Sequence, residues 1–151
     1  DPEVGAILGA DVWTQAREHE INPGLFNYGI HGVEILYTLM NGGCQKISCA
    51  YRPGGEVVTG IWDDDRIGVL RGTRASSPGF GFMACGEKSI HYSGISIQYI
   101  YRELLKQIVK MFETKETPID PMITLEIVAF IVGAIESRKR DGAWVDLDLS
   151  L

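Results

Sequence analysis

The 151-residue sequence predicts an α+β domain in which short antiparallel strands lie between amphipathic helices. Apolar residues recur at the helical period in the segments 27–40, 97–114 and 121–140. Between the first two segments, short apolar runs alternate with turns rich in glycine, proline and aspartate. Strands that follow one another across short turns pair antiparallel, so this region is predicted to form a meander.

Length, charge and cysteine content narrow the class of protein. The chain is long enough for a core, and we expect one domain over residues 1–151. A net charge of −6 without a basic stripe argues against nucleic acid or an anionic membrane as a partner. No apolar run approaches the ~20 residues of a membrane span. The odd set Cys44, Cys49 and Cys85 lacks metal-site spacing, so we expect no metal and reduced thiols in the cytoplasm.

Several segments have the composition of strands and are bounded by turn residues. The predicted strands cover residues 4–13, 45–51, 57–62, 67–73, 80–84, 88–92 and 143–149. Glycines inside them, such as Gly60 and Gly81, indicate bulges or the close approach of another backbone.

The predicted first helix, Asn27–Met40, carries polar residues at its beginning. An Asn-Gly-Gly run at 41–43 ends it, as these residues do beyond a helix C-terminus. Asn27, His31 and Glu34 are four and three residues apart, and residues at these spacings are neighbours on a helix. The spacing therefore predicts an amide, an imidazole and a carboxylate on one edge.

Three hypotheses for His31 stay open on residue types alone. The first is a structural histidine at a helix start. The second is a metal ligand, which neither a His-Glu-x-x-His pattern nor a cysteine pair supports. The third is a general acid/base, because a neutral imidazole steered by Glu34 or Asn27 suits proton transfer to or from an alcohol.

The segment 14–24 is polar and is predicted to be an exposed loop before this helix. Loops of this kind carry binding residues, so Arg17 and His19 are candidate substrate-site residues. The alternative is that both belong to a solvated run of charges.

The two later helices have recognisable ends. The segment 97–114 has one apolar stripe, and the loop that begins at Lys115 ends it. Asp120 is predicted to cap the last helix, with Pro121 in its first position and cations in its last turn.

Two motifs near the ends of the chain carry a resemblance to a known family. Gly24-Leu25-Phe26-Asn27-Tyr28-Gly29-Ile30-His31-Gly32-Val33-Glu34 resembles the start of the long helix in the C-terminal domain of the glucose–fructose oxidoreductase and inositol dehydrogenase family (Gfo/Idh/MocA). The second motif comprises Thr124-Leu125-Glu126 and the later run Glu136-Ser137-Arg138, and it is similar to that family's closing helix. The order of segments between them also fits, so the resemblance covers nearly the whole chain.

The resemblance implies a fold and a function. The fold would be an open, mostly antiparallel sheet with helices on one face. The intact protein would be an NAD- or NADP-dependent oxidoreductase acting on a sugar, cyclitol or related polyol. His31 would be its acid/base, and Asn27, Tyr28 and Glu34 would contact substrate. Asn27 stands where the family often has aspartate, and an amide cannot take a proton.

The resemblance also implies partners. The dinucleotide would lie on an N-terminal Rossmann domain that also supplies a lysine, and neither is present in these residues. The open sheet face would form a homo-oligomer. We expect apolar residues on that face, drawn from Ile47, Cys49, Val58, Ile61, Val69 and Phe82.

The sequence lacks a Gly-x-Gly-x-x-Gly turn between a strand and a helix. We therefore expect this chain alone to bind no NAD(H) and to be inactive. The alternative function is a non-catalytic ligand-binding or oligomerisation module of the same fold. An upstream glycine-rich βαβ unit and a Glu-Lys-Pro motif would favour the enzyme.

Overall fold

A computed structural model describes residues 2–74, 79–147 and 149, and within them it shows one seven-stranded sheet with three α-helices. A 3-10 helix, Gly24–Phe26, precedes α1. The strands are β1 (Ile7–Gln15), β2 (Cys44–Arg52), β3 (Gly55–Trp62), β4 (Ile67–Thr73), β5 (Phe80–Gly86), β6 (Ile90–Ile95) and β7 (Val145–Asp146). The helices are α1 (Gly29–Met40), α2 (Ile100–Thr114) and α3 (Pro121–Lys139).

The strand order is β6-β5-β1-β4-β3-β2-β7. Strand β1 runs parallel to β4, whereas every other pairing is antiparallel. The prediction of a mostly antiparallel open sheet is therefore confirmed. The prediction of an uninterrupted meander is wrong at one point, because β1 lies between β4 and β5. Local apolar patterns could not show this insertion, since they carry no information on which distant strand fills a gap.

Helices α1 and α3 pack on one face of the sheet and enclose the core there. α1 lies over β1 and β4, and α3 lies over β2. Leu36, Trp62 and Phe130 are buried between these layers. α2 has no buried residue, so its predicted apolar stripe faces solvent within the part of the chain that the structure describes. Among the same residues, no helix is long and apolar enough to span a bilayer.

The boundaries of the elements follow the predicted turn and cap residues. Asp120 accepts a hydrogen bond of 2.9 Å from the backbone N–H of Met122, which confirms it as the N-cap of α3. The strand expected at 143–149 is limited to β7 in the described residues, and position 148 lies outside them.

The residues expected on the open sheet face divide between the two faces. Ile47, Cys49 and Val58 are buried in the core under the helices, so their assignment to the open face is wrong. Phe82 pairs with buried Val12 in the register and shares the helix-covered face. Ile61 and Val69 do lie on the open face, because they alternate with buried Gly60 and Leu70. The open face also carries Ile67, Met83 and Tyr92.

Candidate functional site

The start of α1 is held close to the sheet by a glycine. Gly32 faces Thr14 and Leu70, and a Cβ at Gly32 would lie 2.6 Å from Thr14 Cγ2 and 2.7 Å from Leu70 Cδ1. Helix α1 thus rests directly on β1 and β4. Tyr28, just before the helix, has a φ of 59°, which turns the chain sharply into α1.

His31 and Glu34 form a pair on the outer edge of α1. His31 Nδ1 lies 2.9 Å from Glu34 Oε2, and the two side chains are 53% and 52% exposed. A carboxylate beside Nδ1 favours the tautomer that carries its proton on that nitrogen. Nε2 then carries the lone pair, and the described residues give it no hydrogen-bond partner. The pair can therefore accept or donate one proton at Nε2.

Two aromatic rings flank the imidazole. The ring centroid of Tyr28 lies 6.1 Å from that of His31, and the centroid of Phe80 lies 5.9 Å away. Both contacts are edge-to-face, with planes at 80°. Sequence reasoning missed Phe80, because it reaches His31 only through the placement of β5 beside β1.

The other predicted site residues do not contact His31 in the described part of the chain. Asn27 lies before α1 rather than on its edge, and its Nδ2 donates a hydrogen bond of 2.9 Å to the backbone carbonyl of Arg17. His19 Nδ1 accepts a hydrogen bond of 3.2 Å from the backbone N–H of Ile21. The side chains of Arg17 and His19 are exposed and make no described contact with His31. Of the predicted set, the structure thus brings together His31, Glu34 and Tyr28.

Glu18 anchors the loop that follows β1 through hydrogen bonds to other elements. The Glu18 carboxylate accepts hydrogen bonds from Arg74 at 3.0 Å, from Arg138 at 3.1 Å and from the Tyr51 hydroxyl at 3.3 Å. Partial burial acts to raise the pKa of Glu18, but the hydrogen bonds from Arg138 and Arg74 outweigh it, so the pKa lies below its ordinary value. This network links the loop to β2, to the end of β4 and to α3.

A buried ion pair lies beneath that network. Arg74 contacts Glu56 at 2.6 Å, and their side chains are only 8% and 3% exposed. Cys49 Sγ lies 3.4 Å from the same carboxylate. Burial, together with the nearby charge of Glu56, raises the pKa of the Cys49 thiol to about 12, so it stays protonated at neutral pH.

Neither a metal cluster nor a free phosphate cradle at the start of α1 or α3 is found among the described residues. They contain no group of three or more His, Cys, Asp or Glu side chains that could hold a metal ion. At the start of α3, the amide of Met122 is taken by the carboxylate of Asp120, which would repel a phosphate. At the start of α1, the amides of Gly29 and His31 are taken by backbone carbonyls. A pyrophosphate would find no free cradle at either helix.

No protein-family profile and no curated protein matches this sequence. Solved structures do match, among them the following three. GenD2 from gentamicin A biosynthesis, in complex with NAD, shares 14% identity over 97% of this chain and 57% of its own, with a TM-score of 0.76. A myo-inositol dehydrogenase from Corynebacterium glutamicum ATCC 13032 shares 11% identity over 97% and 58%, with a TM-score of 0.78.

The third structure is myo-inositol dehydrogenase from Lactobacillus casei, in complex with NAD(H) and myo-inositol. It shares 12% identity over 96% of this chain and 55% of its own, with a TM-score of 0.69. This chain thus spans just over half the length of the solved structures that it matches. Identities this low establish the fold alone. The chain has the fold of the C-terminal domain of Gfo/Idh/MocA dehydrogenases, as its two motifs predicted.

Proposed function

We propose that this chain is the substrate-binding and oligomerisation domain of an NAD- or NADP-dependent oxidoreductase that acts on a sugar, cyclitol or related polyol. The observation that carries the proposal is the His31–Glu34 pair at the start of α1, in which the carboxylate holds Nδ1 and Nε2 has no hydrogen-bond partner among the described residues. A hydroxyl placed against Nε2 would lose its proton as it is oxidised. The names of the structural neighbours support an oxidoreductase on a polyol.

The work of this chain in the reaction is binding, orientation and proton transfer. His31 would take the hydroxyl proton, and Glu34 would stabilise the imidazolium that forms. Tyr28, half exposed beside His31, would contact the substrate. Asn27, Arg17 and His19 would contact it only if their side chains turn toward the helix start. The dinucleotide would be held by a separate domain, because the starts of α1 and α3 offer it no free cradle.

The proposed enzyme would work in the cytoplasm, where free thiols such as buried Cys44 and Cys49 stay reduced. Its small-molecule site would lie between α1 and the nucleotide-binding domain. A Gly-rich βαβ unit and a Glu-Lys-Pro motif encoded upstream would support this arrangement.

Turnover by the longest chain that the gene encodes tests the proposal. We expect reduction of NAD or NADP with at least one member of a panel of inositols and sugars. His31→Asn should lower kcat by about 10²–10⁴-fold, the usual effect of a lost general base. His91→Asn on β6 is the matched control and should leave turnover unchanged. Activity that survives His31→Asn at neutral pH would overturn the proposed role of His31.

A second function, a non-catalytic binding or oligomerisation module, is favoured by the open sheet face. Ile67 and Tyr92 on that face are largely exposed. Polyol binding to the chain, followed by nuclear magnetic resonance (NMR), with no turnover in the longest encoded chain would favour this module. Saturable micromolar binding of NAD(H) to the 151-residue chain would contradict both functions as stated.

A further inference from the structure

We propose that Phe80 is a positioning residue for His31: its ring, with that of Tyr28, holds the imidazole in the orientation that directs Nδ1, rather than Nε2, to Glu34. The proposal deepens the proposed function and rests on it for its catalytic meaning. Its structural content stands on the contacts of His31 alone.

The contact with Glu34 is by itself too weak to hold the imidazole ring of His31. The His31–Glu34 pair is three residues apart on a helix, and both side chains are about half exposed. Exposed pairs at this spacing contribute no more than about the thermal energy. The imidazole would therefore sample other orientations unless further contacts restricted it.

Two aromatic rings are placed so that they restrict the imidazole further. Phe80 and Tyr28 each meet the imidazole edge-to-face, at centroid distances of 5.9 Å and 6.1 Å. Edge-to-face contacts at this distance are favourable and directional. They limit rotation about χ2 of His31, which is otherwise a broad torsion.

The fold brings Phe80 to His31 through three features. Gly32 lets α1 rest on β1, and β5 pairs with β1 on the side away from β4. Phe80, at the beginning of β5, lies two residues before Phe82, which shares the helix-covered face with Val12. The same alternation places Phe80 on that face, beside the first turn of α1.

The titratable groups that face His31 are few among the described residues. Glu34 contributes a carboxylate from α1, and Tyr28 contributes a phenol from the preceding segment. The contact from β5 is the uncharged Phe80. A change at Phe80 therefore alters the orientation of the imidazole without adding or removing a charge.

Phe82 supplies a matched control. Its ring centroid lies 5.9 Å from that of His91 on β6, whereas the ring of Phe80 contacts His31. The same substitution at either position removes one aromatic ring from the same strand. Each should perturb a different histidine.

The experiment is NMR of the histidine side chains in the 151-residue chain, which has only His19, His31 and His91. In the neutral imidazole, nitrogen shifts give the ratio of the two tautomers. In Phe80→Leu we expect the ratio of the Nδ1–H tautomer to the Nε2–H tautomer of His31 to fall about two- to tenfold. A change of this size corresponds to the loss of one aromatic pair. Phe82→Leu should leave that ratio unchanged and shift the His91 signals, and Phe80→Tyr should preserve the wild-type ratio.

An unchanged His31 ratio in a folded Phe80→Leu variant would overturn the proposal, as would an equal effect from Phe82→Leu. If Phe80→Leu fails to fold, Tyr28→Leu removes the other ring and is expected to lower the same ratio; an unchanged ratio there would also overturn it. In the longest encoded chain, Phe80→Leu should lower kcat with little change in KM. The NMR result does not depend on turnover, so a failure of the proposed function would be seen separately, through His31→Asn.

Discussion

The carboxylate of Glu126 accepts a hydrogen bond of 2.8 Å from the backbone N–H of Gly43, just beyond the end of α1. The same carboxylate lies against Gly42, where a Cβ would be 2.9 Å from Oε1. The Thr-Leu-Glu motif of α3 therefore contacts the Asn-Gly-Gly run that follows α1. This contact fixes α3 against the end of the helix that carries His31.

Replacing Glu126 with alanine should destabilise the fold. A hydrogen bond between a carboxylate and a partly buried amide is worth about 1.5–3 kcal/mol. We expect the free energy of unfolding in urea, followed by tryptophan fluorescence, to fall by about that amount. Glu113→Ala on exposed α2 is the control and should change it by less than about 0.5 kcal/mol. Equal effects from the two variants would contradict the structural role of Glu126.

Gly32→Ala should destabilise the chain although alanine favours helices by about 1 kcal/mol over glycine. The new methyl group would meet Thr14 and Leu70 at distances that real Cβ atoms essentially never show. Overpacking of this kind costs about 1–3 kcal/mol, measured as the shift in the urea unfolding curve. Gly54→Ala, at a turn position with open space around it, should have little effect. A gain in stability for Gly32→Ala would show that α1 lies farther from the sheet.

The lowered pKa of Glu18 predicts a pH-dependent contribution to stability. Its carboxyl is held ionised in the folded state, so the contribution is present above an unfolded-state pKa near 4.5. It is lost as the pH falls through the lower folded-state pKa. Because Glu18 is 42% exposed, solvent screening keeps the effect small.

The measurement is urea unfolding between pH 3 and pH 7. We expect the stability of the wild-type chain to fall more steeply on acidification than that of Glu18→Gln. Glu20→Gln, in the same loop, should follow the wild-type curve. Parallel curves for Glu18→Gln and the wild type would show that the network of Arg74 and Arg138 does not favour the charged form.

Packing through the open sheet face remains a prediction. We expect a homodimer or tetramer, because Ile61, Ile67 and Val69 present apolar surface opposite the helices. Val69→Lys should shift sedimentation toward a monomer. Val132→Lys, on an exposed position of α3, should leave the assembly unchanged. A wild-type monomer at high micromolar concentration would count against the prediction.

Local patterns in the sequence are sufficient to predict most of the helices and strands. The run 67–73 was bounded by turn residues on both sides and coincides with β4, and Asp120-Pro121 marked the start of α3. The sequence predicts Asn27 on the helix, but the positive φ of Tyr28 delays the start of α1 by two residues, and a tyrosine gives no signal for that conformation.

Other features depended on tertiary arrangement. Alternation showed that Ile47 and Cys49 share a face, but not that this face meets α3. In β3 the neighbours Val57 and Val58 are both apolar, so alternation is ambiguous there. Phe80 could not be assigned to the site, because its contact with His31 depends on the position of β1 within the sheet.

The insertion of β1 between β4 and β5 has a consequence for the order of folding. β2, β3 and β4 can pair as successive hairpins as soon as each is made. β1 is synthesised first, yet its partners begin at Ile67 and Phe80. Closing such a long loop is slow, and a parallel pairing cannot form through a short turn. We therefore expect β1 to join the sheet late and the facing edges of β4 and β5 to stay unpaired until then.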